Sequence, residues 1–242
     1  MEHIKSIIHK RNEQYKKHSF IQFMQDETIP AKTRLSYIPY GVYFIMTFAD
    51  LNKYLLPNNV SGSPLETIIT THGEEDSKHW AWFLKDMETL GYNADLTFND
   101  ACSFIWSKEG LRTRMFCYKL AQHALNADPL MKIVIIEAIE SMGKVWLTNT
   151  VQITKELGLD DKLIYLGQYH LDRELGHAMG SEEDVIDSII IPAEMRPHAE
   201  RVILELYDGM EGYNQDLVDR ALKGHKLFKT KKYERSITDG VS

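Results

Sequence analysis

Cysteine is scarce in this chain, with only Cys102 and Cys117 among 242 residues. Two cysteines without finger spacing make neither a disulfide framework nor a structural zinc site, and a reducing cytoplasmic setting is the expectation. Positive charge is not in excess. The formal net charge is -7 and the pI about 5.8, so nucleic acid is not an expected partner. Long apolar runs are missing as well: the most apolar stretch, Ile38 to Phe48, falls short of the about 20 residues that cross a bilayer. No N-terminal stretch joins a basic region to an uninterrupted apolar run, so neither a secretory signal nor a membrane partner is expected. The zincin pattern His-Glu-x-x-His, the Walker loop, Gly-x-Gly-x-x-Gly and Gly-x-Ser-x-Gly do not occur, which removes support for those hydrolase and nucleotide chemistries. Convincing strand-like alternation is lacking too.

What is present is enough apolar and aromatic material for a core: 43% hydrophobic and 10% aromatic residues against 26% charged. That balance excludes disorder over the whole length. Nearly every long segment follows a 3.6-residue period. Ser63-Pro64-Leu65-Glu66 offers a capping serine, a first-turn proline and a glutamate for a capping box, opening a helix expected to run to Gly91. Asp128-Pro129 repeats the start signal, and Gly158 closes a helix of roughly seven or eight turns. Further helices are expected from Asp160 or Asp161 to about Gly176–Gly180, from Ser181, and from Arg196 to Leu222. Upstream, a helix from about Tyr40 to Leu55 follows one or two short ones, and Asn99 to Leu125 reads as a helix kinked at Gly110. The fold class is therefore all-α: one domain of seven or eight helices over 1–222. A basic tail over 223–242, with Lys223, Lys226, Lys229, Lys231, Lys232 and Arg235, reads as a solvated end.

Chemistry concentrates in two ladders. His72 and His79 stand seven apart, two turns of one expected helix, with Glu75 and Asp76 on the stripe between them. His170, Glu174 and His177 stand at i, i+4 and i+7, again one face over two turns. Side chains spread over about 10.5 Å converge poorly on one ion but naturally on two about 3.5–4 Å apart. A third helix, Met131 to Met142, places Glu137 and Glu140 on one face of an otherwise apolar run. A carboxylate in that setting needs a cation or a strong hydrogen bond. The remaining histidines (His3, His9, His18, His123, His198, His225) have no partner at ligand spacing.

These motifs resemble the haem-oxygenase-like diiron oxidases and oxygenases over about residues 17–220. Members of that family show Glu-x6-His on a core helix, a glutamate on a later helix, and His-x3-Asp-x2-His near the end. His79, His170 and His177 match; Glu174 stands for the usual aspartate, and His72 departs from the usual glutamate. The resemblance implies a haem-oxygenase-like bundle, a two-iron centre held by His72, His79, Glu140, His170, Glu174 and His177, and dioxygen as cosubstrate. Glu140 is preferred to Glu137, although spacing alone does not separate them. Glu75, Asp76 and Glu137 are extra-ligand or ligand-orienting candidates. The implied reaction oxidises a small amine or amino acid in a homodimeric enzyme. A histidine at 72 with this chain length is similar to the nitrile-forming branch, which converts brominated tryptophan to indole-3-carbonitrile. Other chemistries of the family, N-oxygenation or decarboxylative carbon-carbon cleavage, would use the same ligands.

Two different classes compete: a metal-free enzyme of the thiaminase or quinone-cofactor type on the same scaffold, and a non-catalytic protein that stores metal or docks a partner. A substrate carboxylate would have Arg112, Arg114, Lys144 or Lys155 as candidate partners, and aromatics such as Tyr165, Trp82 and Trp146 are candidate pocket walls.

Overall fold

Helix follows helix through the described residues, and no strand forms among them. A computed structural model describes residues 1–57, 62–93, 95–177 and 181–224, with all side chains except those of 176, 177 and 181–184. It contains α1 (Glu2–Tyr15), α2 (Ser19–Gln25), α3 (Ala31–Arg34), α4 (Val42–Asp50), α5 (Pro64–Asp76) and α6 (His79–Thr89). These are followed by α7 (Phe98–Ile105), α8 (Leu111–Asn126), α9 (Pro129–Glu156), α10 (Gln168–His177), α11 (Ser181–Ser188) and α12 (Arg196–Lys223). The all-α expectation holds, but twelve α-helical segments among the described residues replace the seven or eight expected. None is long and apolar enough to cross a membrane. Most of the tail, residues 225–242, lies outside the described residues.

The helix count rises because expected helices break. The segment from Ser63 to Gly91 starts as its capping box dictates, Ser63 Oγ accepting from the Glu66 amide and Glu66 from the Ser63 amide. It then breaks at Ser77–Lys78 into α5 and α6. The Asn99–Leu125 segment is interrupted, not kinked: α7 ends at Ile105 and a 3-10 turn at Lys108–Gly110 precedes α8. No helix opens at Asp160 or Asp161; turns carry the chain to Gln168. By contrast α9 keeps both expected ends. Asp128 caps it through the Met131 amide at 2.9 Å, and Gly158, at φ +63°, closes it with a Schellman pair, Leu159 N–H to Thr154 O and Gly158 N–H to Lys155 O.

Helices α9 and α12, each 28 residues, run through the middle. α12 packs along α8, α9, α1 and α2, and α9 along α5, α10, α1 and α2. The buried face of α9 is apolar on nearly every side, from Met131 through Ile139 to Ile153. α5 sits against the π-helical turn Leu51–Leu55 because Gly73 has no side chain; a Cβ there would lie 2.3 Å from the Asn52 carbonyl oxygen. That close approach brings the end of α5 over the middle of α9, where the acidic pair lies.

Candidate metal centre

Four helices deliver the ligand-type side chains. The break at Ser77–Lys78 leaves His72 and Asp76 on the last two turns of α5 and makes His79 the first residue of α6. α9 supplies Glu140, and α10 supplies His170 and Glu174. They form two triads of ligand atoms, each within 4.8 Å of one another: His79, His170 and Glu174, and His72, Asp76 and Glu140. Asp76 faces both. Its Oδ2 lies 3.3 Å from His72 Nε2 and its Oδ1 3.8 Å from His79 Nδ1.

Each imidazole is aimed by its surroundings. His170 Nδ1 donates to the Tyr165 carbonyl at 2.7 Å, so Nδ1 carries the proton and Nε2 turns toward Glu174 Oε1, 3.1 Å away. Tyr165 is in turn held by Asp86, whose carboxylate accepts from the amides of Ile164 at 2.9 Å and Leu166 at 2.8 Å. His79 is sandwiched by rings: Trp82 stacks on it at 4.6 Å and His170 meets it edge-on at 4.6 Å.

Three carboxyls in so small a volume cannot all ionise unaided. Burial and the Glu174 charge push Asp76 well above the usual carboxylate range. Burial, with the charges of Glu174 and Asp76, does the same to Glu140. Burial would raise Glu174 too, but its contacts with His170 and Glu140 and the nearby His79 hold it well below that range. Without an ion, the Glu140–Glu174 pair therefore favours holding a proton between the two carboxyls.

Two cavities meet this cluster. One, of about 100 Å³, is walled by Phe44, Phe48, Trp146, Tyr165 and Tyr213 and touches Asp76, His79, Glu140, His170 and Glu174. The other, about 310 Å³, is more polar. It opens on His72, Glu137, Glu140 and Glu174 and is lined by Lys5, His9, Asn12 and Lys144.

The candidates named from sequence thus separate. His72, His79, Glu140, His170 and Glu174 come together; the side chain of His177, at the end of α10, lies outside the described residues. Asp76, left open as ligand or orienting group, stands inside the cluster. Glu75 turns away and pairs with Arg173 of α10, fastening α5 to α10. Glu137 belongs to neither triad and lines the polar cavity. Of the candidate carboxylate partners, Arg112 is held by Asp216 and Asp219 and Arg114 donates to the Ser107 carbonyl. Lys155 is exposed, and only Lys144 borders the cluster. Among the other histidines, His18 caps α2 and His123 pairs with Glu205. Asp86 went unremarked in the sequence, although it stands seven residues after His79, on the same side of α6.

The donor set fits a pair of divalent ions. Three imidazoles and three carboxylates suit iron, manganese or zinc better than magnesium or calcium, and the carboxylates offset three of the four charges. Asp76 Oδ1 is buried and accepts no hydrogen bond among the described residues, as expected of an oxygen shaped for a cation. No family model matches this chain, and no curated protein matches it.

Proposed function

We propose that this protein is a dinuclear non-haem iron enzyme that uses dioxygen to oxidise a small amine or amino acid, as the resemblance to the haem-oxygenase-like diiron family implies. The observation that carries this reading is the pair of three-ligand triads beside an aromatic cavity, with Asp76 of one triad 3.8 Å from His79 of the other. His79, His170 and Glu174 would hold one ion and His72, Asp76 and Glu140 the other; the resemblance adds His177. Bound there, two ferrous ions would supply the electrons and open positions at which dioxygen is activated.

The chain's own residues define the rest of the chemistry. Tyr165 and Asp86 fix the His170 tautomer, so the ring presents a lone pair without rearranging. The aromatic wall of Phe44, Phe48, Trp146 and Tyr213 excludes water from one side of the cluster and accepts an apolar body. Where no ion is bound, Glu140 and Glu174 favour holding a proton between them; as ligands both would be carboxylates. An aromatic amino acid suits such a pocket, and the most specific form of the proposal is conversion of tryptophan, brominated or not, to indole-3-carbonitrile.

The test is anaerobic reconstitution with iron(II), measurement of iron per chain, and then oxygen uptake and product mass with a panel of aromatic and halogenated amino acids. About two irons per chain and substrate-dependent uptake are expected. Absence of iron binding would favour the metal-free class. Iron without substrate-dependent uptake would favour a storage or docking protein.

A further inference from the structure

Glycines inside helices destabilise them, so each needs a reason. For two of those described here the reason is contact: an added Cβ would lie 2.3 Å from Asn52 O at Gly73 and 2.3 Å from Phe116 Cδ2 at Gly209. Gly143 is different. It sits midway along α9, its φ is not positive, and an added Cβ would meet nothing within 4 Å. Neither packing nor backbone conformation calls for glycine there.

What the missing side chain leaves is space, and that space belongs to the aromatic cavity, which Gly143 lines between Glu140 and Trp146. At about 100 Å³ the cavity far exceeds the roughly 10–15 Å³ that one water needs. Its walls combine rings with Ile45, Ile139, Met142, Leu147 and Met210, and its inner end is the carboxylate and imidazole cluster, so an occupant is apolar at one end and a hydrogen-bonding amine at the other.

We infer that Gly143 is the size-determining position of a pocket for aromatic amines: its bare backbone makes room for the second ring of a fused bicycle, and a side chain there restricts the pocket to a single ring. The inference rests on the reading above only for the amine end. Ring fit is a property of the cavity with or without metal.

The experiment is calorimetric binding of L-tryptophan and L-phenylalanine to the full chain, metal-free and iron-loaded, for wild type, Gly143→Ala and Gly143→Val. Gly143→Ala should raise Tm by about 2–4 °C, because a helix interior prefers alanine. It should weaken L-tryptophan binding by roughly tenfold or more while leaving L-phenylalanine within about twofold, and Gly143→Val should deepen the difference. Iron per chain should not change, since glycine offers no ligand. Equal losses for both amino acids, no loss for either, or a wild type that binds neither would overturn the inference. Should Gly143→Val fail to fold, Gly143→Ala alone decides. A chain that binds no iron yet discriminates the two rings would refute the diiron reading and leave the pocket standing.

Discussion

The two triads share chemistry but not surroundings. Side chains of His79, His170 and Glu174 are 9%, 6% and 10% exposed, whereas His72 and Glu140 reach 14% and 21%. The first triad is braced from outside, His170 through Tyr165 to Asp86 and His79 by the face of Trp82. The second borders the larger polar cavity and touches the first through Asp76, 3.8 Å from His79. One half is prebuilt and the other adjustable, so affinity for the two ions should be unequal.

The harshest way to break that contrast is His170→Ala. It removes a ligand from the braced half and should weaken the tighter ion by more than the roughly 10–100-fold typical of losing a residue that only orients a ligand. Isothermal titration with iron(II) or manganese(II) reads it; unchanged affinity would mean that the triad holds no ion. Asp86→Asn comes next. The buried carboxylate loses part of its grip on the Ile164 and Leu166 amides, costing about 2–3 kcal/mol of stability by urea unfolding and roughly tenfold in affinity for the same ion. His72→Ala should act on the weaker ion alone, leaving the tight equivalent intact. Glu140→Ala should join it, while Glu137→Ala should leave metal stoichiometry unchanged because Glu137 lies outside both triads.

The smallest effect is one of pH on the metal-free protein. Asp76 and Glu140 bind protons more tightly folded than unfolded. Their contribution to stability is complete below the usual carboxylate range and is lost as pH rises through their raised values. Glu174, held low, works the other way, and only below that range. Metal-free Tm should therefore fall as pH rises above the usual carboxylate range, relative to an Asp76→Asn/Glu140→Gln double variant, whose profile should be flatter there.

How much of this was legible in sequence depends on how far apart the causes lie. The ends of α9 are set by Asp128, Pro129 and Gly158, all within a turn of the boundary, and were readable. The grouping of His170 with Glu174 follows from a four-residue spacing on one helix. The break at Ser77–Lys78 was not readable, because neither residue is a helix breaker. Yet it gives Asp76 a place between His72 and His79 that an unbroken helix would have divided with Glu75. The stretch before Gln168 departs from the expected helix for a similar reason: its amides are claimed by Asp86, about eighty positions upstream. Local rules describe the rods; the joints depend on partners distant in the chain.

The nearness of Glu140 and Glu174 has a consequence for the proposed loading with metal. On that proposal an arriving ion would displace the proton favoured between the two carboxyls, so uptake would be an exchange of cation for hydrogen, and acid would oppose it.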